Sequence, residues 1–412
     1  MDLERFRLPY GRSLSFELTV EPEQLVASLR PPAGLDDVPA SVAAAVASPL
    51  NFPPLDQSLV PGDQVTIVLD RDTPAADQLL LGLWRTLERI DIAPASVKIV
   101  QPADLRGTRP RDPRTALPAE VGTEMTWHCH DPLDAQACGD LAAAPAGGLI
   151  SLRVVVVDAD VVLCLGGMSF DETLGFRGTL SPLYPGLSNA DAIRRSIGGG
   201  HAELQPENPR SLRELADEVG WLLGVQFVLQ VVPAERGGVA AVLAGSADAV
   251  FAAGRQQLID RWQIDVTRRA ELVVATVDAD AGGHGWRQVA AALDAARRLV
   301  ARDGRILLLT ELSEQPSEGI ELMRDARSPR EALRPIRERA QVDRREALQL
   351  AQALDRANIY LLSQLPDDLV EDLFMVPVAT PREAGRVVEG AGQVAVVGSA
   401  QHAFVREAGE DR

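Results

Sequence analysis

Short runs of valine, isoleucine and leucine that are apolar on both faces constrain this chain more than any other feature. They are Val65–Leu69, Val97–Val100, Val154–Val157, Val161–Leu165, Val225–Val232, Leu272–Val277, Ile306–Thr310, Ile359–Leu362 and Val394–Val397. A strand with one face in water alternates apolar and polar residues; a run without alternation is covered on both sides, as in parallel sheets layered by helices. Between these runs, Asp77–Ile90, Ser211–Leu223, Ala247–Arg261 and Gln288–Ala301 carry apolar residues at helical spacing. The alternation predicts an α/β fold with parallel or mixed sheets flanked by helices. A chain of 412 residues exceeds one typical core, so two domains are expected. The composition shift near Gln263–Arg269 places them at residues 1–265 and 268–412.

Charge narrows the partners. A formal net charge of −18 repels phosphate backbones and anionic lipid, which argues against nucleic acid and membrane. The basic cluster Arg106–Arg114 is proline-rich and reads as a solvated loop. Cys129, Cys138 and Cys164 form no paired framework, so a reducing compartment is expected. The first residues, Met-Asp-Leu-Glu-Arg, lack the basic and apolar regions of a signal peptide. The run Val154–Leu165 is too short for a membrane span and is broken by Asp158 and Asp160. A cytoplasmic location is therefore expected.

Three motifs carry the chemistry. Asp70-Arg-Asp-Thr73-Pro74 follows an apolar strand and precedes a helix, a place where α/β proteins hold anions on free N–H groups. Asp70 either lines such a site or caps the helix. Gly175-Phe-Arg-Gly178-Thr-Leu-Ser181-Pro-Leu-Tyr-Pro185-Gly186 is built of turn formers, and its glycines permit positive φ and close approach of a ligand. The third motif is the opening Leu8-Pro9-Tyr10-Gly11. His128-Cys129-His130-Asp131 is a tight cluster without a second pair at zinc spacing; neighbouring side chains diverge, so no metal site is expected there.

Together these motifs resemble the lactate racemase family, which racemises or epimerises 2-hydroxy acids by hydride transfer to a nickel-pincer nucleotide. The resemblance implies two α/β domains with a ligand cleft between them, and it runs over nearly the whole chain. It also implies which positions matter. Asp70 and Pro74 match, but Thr73 stands where the family binds substrate with arginine. Asp104 and Asp171 fall where the family keeps its two acid/base histidines. Gly175 and Gly178 keep the cofactor turn, while Ser181 replaces the lysine that tethers the nucleotide. Ile197 falls on the nickel-binding histidine, with His201 four positions on. Gln288 matches a substrate-binding glutamine, and Ala291 replaces the lysine after it.

The expected protein is a relative of the racemases that takes a small-molecule ligand in the cleft and carries no covalent nickel cofactor. Two alternatives stay open. One is a non-catalytic small-molecule or nucleotide binder; the other is an enzyme of altered chemistry using Asp104 and Asp171.

Overall fold

Pairing of the first strands decides how the chain divides. β1 (Glu4–Tyr10) and β2 (Leu14–Val20) form an antiparallel hairpin, and β3 (Leu25–Leu29) pairs in parallel with the late strand Val394–Val397. One compact unit is therefore Met1–Pro32 with Asp260–Arg412, and the other is Ala33–Ile259. The later break between the units lies at Ile259–Asp260. Residues 1–32 do not belong to the N-terminal domain as expected, because β3 adds an edge strand to the C-terminal sheet. The computed structural model describes residues 3–103, 109–143, 149–153, 156, 159–197 and 204–407. The apolar run Val154–Val157 lies largely outside them.

The unit Ala33–Ile259 is built on β4 (Val65–Leu69), β5 (Val97–Pro102), β6 (Thr126–His130), β9 (Val161–Gly167), β12 (Phe227–Pro233) and β13 (Val239–Gly245). Two antiparallel hairpins lie beside this sheet: β7 (Cys138–Ala143) with β8 (Leu149–Arg153), and β10 (Ser169–Asp171) with β11 (Gly175–Arg177). The sheet order is β13-β12-β9-β4-β5-β6, parallel except for β13 at one edge. Both faces are covered, as the unbroken apolar runs require. Ile67 and Leu69 pack with Leu80, Leu83 and Trp84 of the helix Ala76–Arg89, whereas Val68 packs on the other side with Cys164, Leu183 and Val228. Burial pushes the Cys164 thiol up, so it stays a neutral apolar filler.

In the other unit, β14 (Gln263–Val266) pairs with β20 (Phe404–Glu407). The main sheet adds β15 (Ala270–Thr276), β16 (Val300–Leu309), β17 (Asn358–Leu362), β18 (Val376–Val378) and β19 (Val394–Val397). Its order is β18-β17-β16-β15-β19-β3, parallel throughout. The β1–β2 hairpin lays Phe6, Leu8, Tyr10, Phe16 and Leu18 on this sheet against Leu272, Val274 and Leu307. No helix among the described residues is long and apolar enough to cross a membrane.

Two histidines, one buried and one half-buried, tie stability to pH. His130, fully buried, gives its Nε2 proton to the Ser188 carbonyl at 2.8 Å, which leaves Nδ1 buried without a partner among the described residues. In the other unit, His284 Nε2 accepts the Glu311 N–H at 2.9 Å. Burial lowers both pKa values, against opposing pulls from the Ser188 carbonyl at His130 and from the Asp278 backbone and nearby carboxylates at His284. Unfolded histidine titrates near 6.5. Between the lowered folded values and 6.5 the unfolded chain binds more protons, so stability is full above that window and falls as pH drops through it. The unfolding midpoint should fall between pH 7.5 and 5.5, and the fall should shrink in His130→Gln. A midpoint that is flat or rises over that range would contradict the assignment.

Candidate functional site

Strand order reverses at β4 in the unit Ala33–Ile259. β5 and β6 extend to one side of it, β9 and β12 to the other. Loops leaving the carboxyl ends of such a pair run in opposite directions and open a crevice, where doubly wound sheets bind ligands. Asp70 stands at the end of β4, its N–H donating to the Leu165 carbonyl of β9 at 2.8 Å. Gly166 lies beside it, and a Cβ there would come within 3.3 Å of the Asp70 Cβ.

Asp70 does not cap the following helix. The N-cap is Ala75, in a left-handed conformation and without a side-chain hydrogen bond. The buried Asp70 carboxylate instead grips Arg177 of β11: Nε donates to Oδ2 at 2.8 Å and Nη2 to Oδ1 at 2.7 Å. Oδ1 also accepts the Arg71 N–H at 2.8 Å. This fork-on-carboxylate geometry is the strong form of an ion pair. Asp70 holds the Arg177 pKa above its ordinary value, burial opposes it, and Asp171 and Asp72 add to the pull. Three carboxylates thus act on Arg177, and one of them, Asp72, also stands 3.7 Å from Arg71 Nε.

The neighbouring candidates are committed to backbone. Thr73, buried, donates its hydroxyl to the Asp70 carbonyl at 2.8 Å. Asp171 closes the β10–β11 turn, its Oδ1 accepting the N–H groups of Thr173 and Leu174 at 2.8 and 2.9 Å. Ser181, also buried, accepts the Gly178 N–H on its Oγ at 2.9 Å. Arg213 locks the same turn from outside, donating to the Gly178 carbonyl at 3.0 Å and to Thr179 Oγ1 at 2.7 Å. Asp104 and His201 lie outside the described residues, and Ile197 ends the helix Ala190–Ile197.

Gly175 needs to be glycine. Its φ is 72°, and a Cβ would stand 2.2 Å from the Pro206 carbonyl oxygen. Backbone cannot yield as a side-chain tip can. Gly175→Ala should cost about 2 kcal/mol from the left-handed conformation and the clash together. Chemical denaturation reads this as a lower midpoint, and a loss under about 0.5 kcal/mol would show that the turn is not held as described.

Two residues here went unnoticed in the sequence. Arg177 is the one charge between Gly175 and Gly178, and Gln230 is the one polar residue of the run Phe227–Val232. A polar side chain inside a run buried on both faces must be buried itself, which was a readable signal. Gln230 is fully buried; its Nε2 donates to the Leu229 carbonyl at 3.0 Å, and Oε1 has no partner among the described residues.

Gln288 belongs to the other unit and is a helix cap there. Its Oε1 accepts the Gly285 N–H at 3.1 Å and its Nε2 donates to Asp280 Oδ1 at 2.9 Å, at the start of the helix Trp286–Leu299.

Residues 10–204 match the sequence family described as Lactate racemase N-terminal domain. The lactate racemase of Thermoanaerobacterium thermosaccharolyticum is 21% identical over 411 residues, covering 94% of this chain and 95% of that protein. The solved lactate racemase apoprotein from that organism superposes with a TM-score of 0.75 at 17% identity, over 98% of this chain and 100% of that one. A Thermotoga maritima protein gives a TM-score of 0.64 at 12% identity, covering 91% of this chain and 100% of that one. At these identities the solved structures speak for the fold. The family match over residues 10–204 and the full-length relative point the same way: along nearly its whole length the chain is similar to the lactate racemases.

Proposed function

We propose that this chain is a small-molecule-binding member of the lactate racemase family that does not racemise lactate and carries no lysine-tethered nickel-pincer nucleotide. The observation that carries this reading is Ser181. It occupies the tether position in a buried turn, and its oxygen is already the acceptor of the Gly178 N–H. A serine forms no thioamide, and the sequence offers no substitute nearby. Its one lysine, Lys98, lies in register with Thr66, which precedes Asp70 by four positions, roughly 13 Å at ~3.3 Å per strand residue. The residues present do not fit the tethered cofactor.

Charge supports the choice of ligand. Arg177 is neutralised by Asp70 and Arg71 stands against Asp72, with Asp171 close enough to act on Arg177, so a simple 2-hydroxy acid anion meets cations that are already paired. Neutral hydroxylated or cationic molecules suit the crevice better. The altered-chemistry alternative gains no support, since Asp171 is held as a turn acceptor. Screening the full chain by thermal shift tests the reading directly. Polyols or small amines should raise the midpoint at concentrations where lactate does not, and stabilisation by lactate alone would reject it.

A further inference from the structure

The sheet of the other unit reverses too. β16, β17 and β18 lie on one side of β15, and β19 and β3 lie on the other. Its crevice therefore opens at the carboxyl ends of β15 and β19, where two short polar segments face each other. After β19, Ser399 adopts a left-handed backbone at φ 48°, and its N–H donates to Thr276 Oγ1 at 3.1 Å. Gln401 then reaches across to the segment after β15. Its Nε2 donates to the Asp278 carbonyl at 3.1 Å and to Asp278 Oδ1 at 2.6 Å. Both nitrogen-side contacts fix the carboxamide, so Oε1 is the end left over.

Two polar atoms are stranded by this arrangement. The Ser399 hydroxyl and Gln401 Oε1 are both buried with no hydrogen-bond partner among the described residues. Buried polar groups are nearly always paired, and each exception calls for an explanation. Thr276, Asp278 and Ser399 are themselves buried, while Gln401 is only partly so and marks the way in. Ser399 also holds a conformation that glycine would take with less strain, so the backbone alone does not require a hydroxyl there.

We propose that this crevice is a second binding site, and that it takes a neutral ligand with vicinal hydroxyls. The chemistry follows from what is offered. Gln401 Oε1 only accepts, the Ser399 hydroxyl both donates and accepts, and the Asp278 carboxylate disfavours an anion. One ligand hydroxyl donates to Gln401 Oε1 and its neighbour exchanges a hydrogen bond with Ser399. The site belongs to the other unit, and the case for it does not depend on the function proposed for the Asp70 crevice.

D-ribose is the probe, titrated into the full chain and followed by ligand-observed NMR. Saturable binding is expected, weakened about tenfold in Ser399→Gly, the scale of one lost hydrogen bond. That variant relieves the left-handed serine, so its unfolding midpoint should hold or rise, which separates lost binding from lost folding. Three results overturn the proposal. The wild type fails to bind ribose, Ser399→Gly binds it undiminished, or a crystal structure soaked in ribose shows only a buried water between Ser399 and Gln401.

Discussion

Expressed together with the enzymes that build a nickel-pincer nucleotide, the protein should emerge at its apoprotein mass and racemise lactate at least about a thousandfold more slowly than a competent racemase. Loss of a general base alone costs about 10²–10⁴-fold. By the resemblance to the racemases, Ser181 falls at the tether, Thr73 at the arginine clamp, and Asp104 and Asp171 at the two acid/base positions. Such losses do not add, because groups that act as a unit fail together. Thr73 also turns its hydroxyl back onto the Asp70 carbonyl, so it does not reach outward as a weaker substitute for arginine. Intact-mass measurement decides the cofactor and polarimetry of each lactate enantiomer decides the activity. A covalent adduct, or racemisation at ordinary enzyme rates, would sink the reading. Ser181→Lys in the same co-expression tests whether the tether alone is missing. It should still fail, since the buried turn has no room for a lysine without releasing the Gly178 N–H.

The parallel strands were legible because burial on both faces leaves an unmistakable pattern: β4 reads Val-Thr-Ile-Val-Leu and every residue is buried. The β1–β2 hairpin carries the opposite pattern. Phe6 and Leu8 alternate with Arg5 and Arg7, and Phe16, Leu18 and Val20 with Glu17 and Thr19, so these strands contain no unbroken run of valine, isoleucine and leucine. With them went the assignment of residues 1–32, since no local signal tells β3 that its partner lies at Val394–Val397. At the site, Asp70 was readable as the residue where a strand hands over to a helix. Its partner was not. Arg177 follows Asp70 by 107 positions, and only the fold brings the β10–β11 hairpin over the end of β4. Gln230 is hidden differently: it lies inside the run Phe227–Val232, where one polar residue does not break the strand pattern. Gln288 has a ligand role by resemblance alone; in the structure its Oε1 caps the helix Trp286–Leu299 and its Nε2 holds Asp280.

Replacing Arg177 should damage the protein more than replacing Asp70, although the two form one ion pair. The Asp70 side chain is 5% exposed and that of Arg177 34%. Arg177→Met leaves a buried carboxylate that still accepts the Arg71 N–H. Breaking a fully buried pair from one side costs about 3–5 kcal/mol, and the partial exposure of Arg177 lets water in, which brings the expected cost to about 2–3 kcal/mol. Asp70→Asn instead leaves a guanidinium already one-third in solvent, and should cost about 1 kcal/mol. The double variant removes the stranded charge, so its loss should fall short of the sum of the two singles by at least about 1 kcal/mol. Binding should move the other way. Asp70→Asn uncovers the cation and should tighten lactate binding about tenfold, whereas Arg177→Met should favour small amines. Equal destabilisation by the two singles with strict additivity would mean that the pair is a surface contact. Unchanged lactate affinity in Asp70→Asn would mean that Arg177 does not face the ligand, and the crevice at the end of β4 would lose its claim to be the binding site.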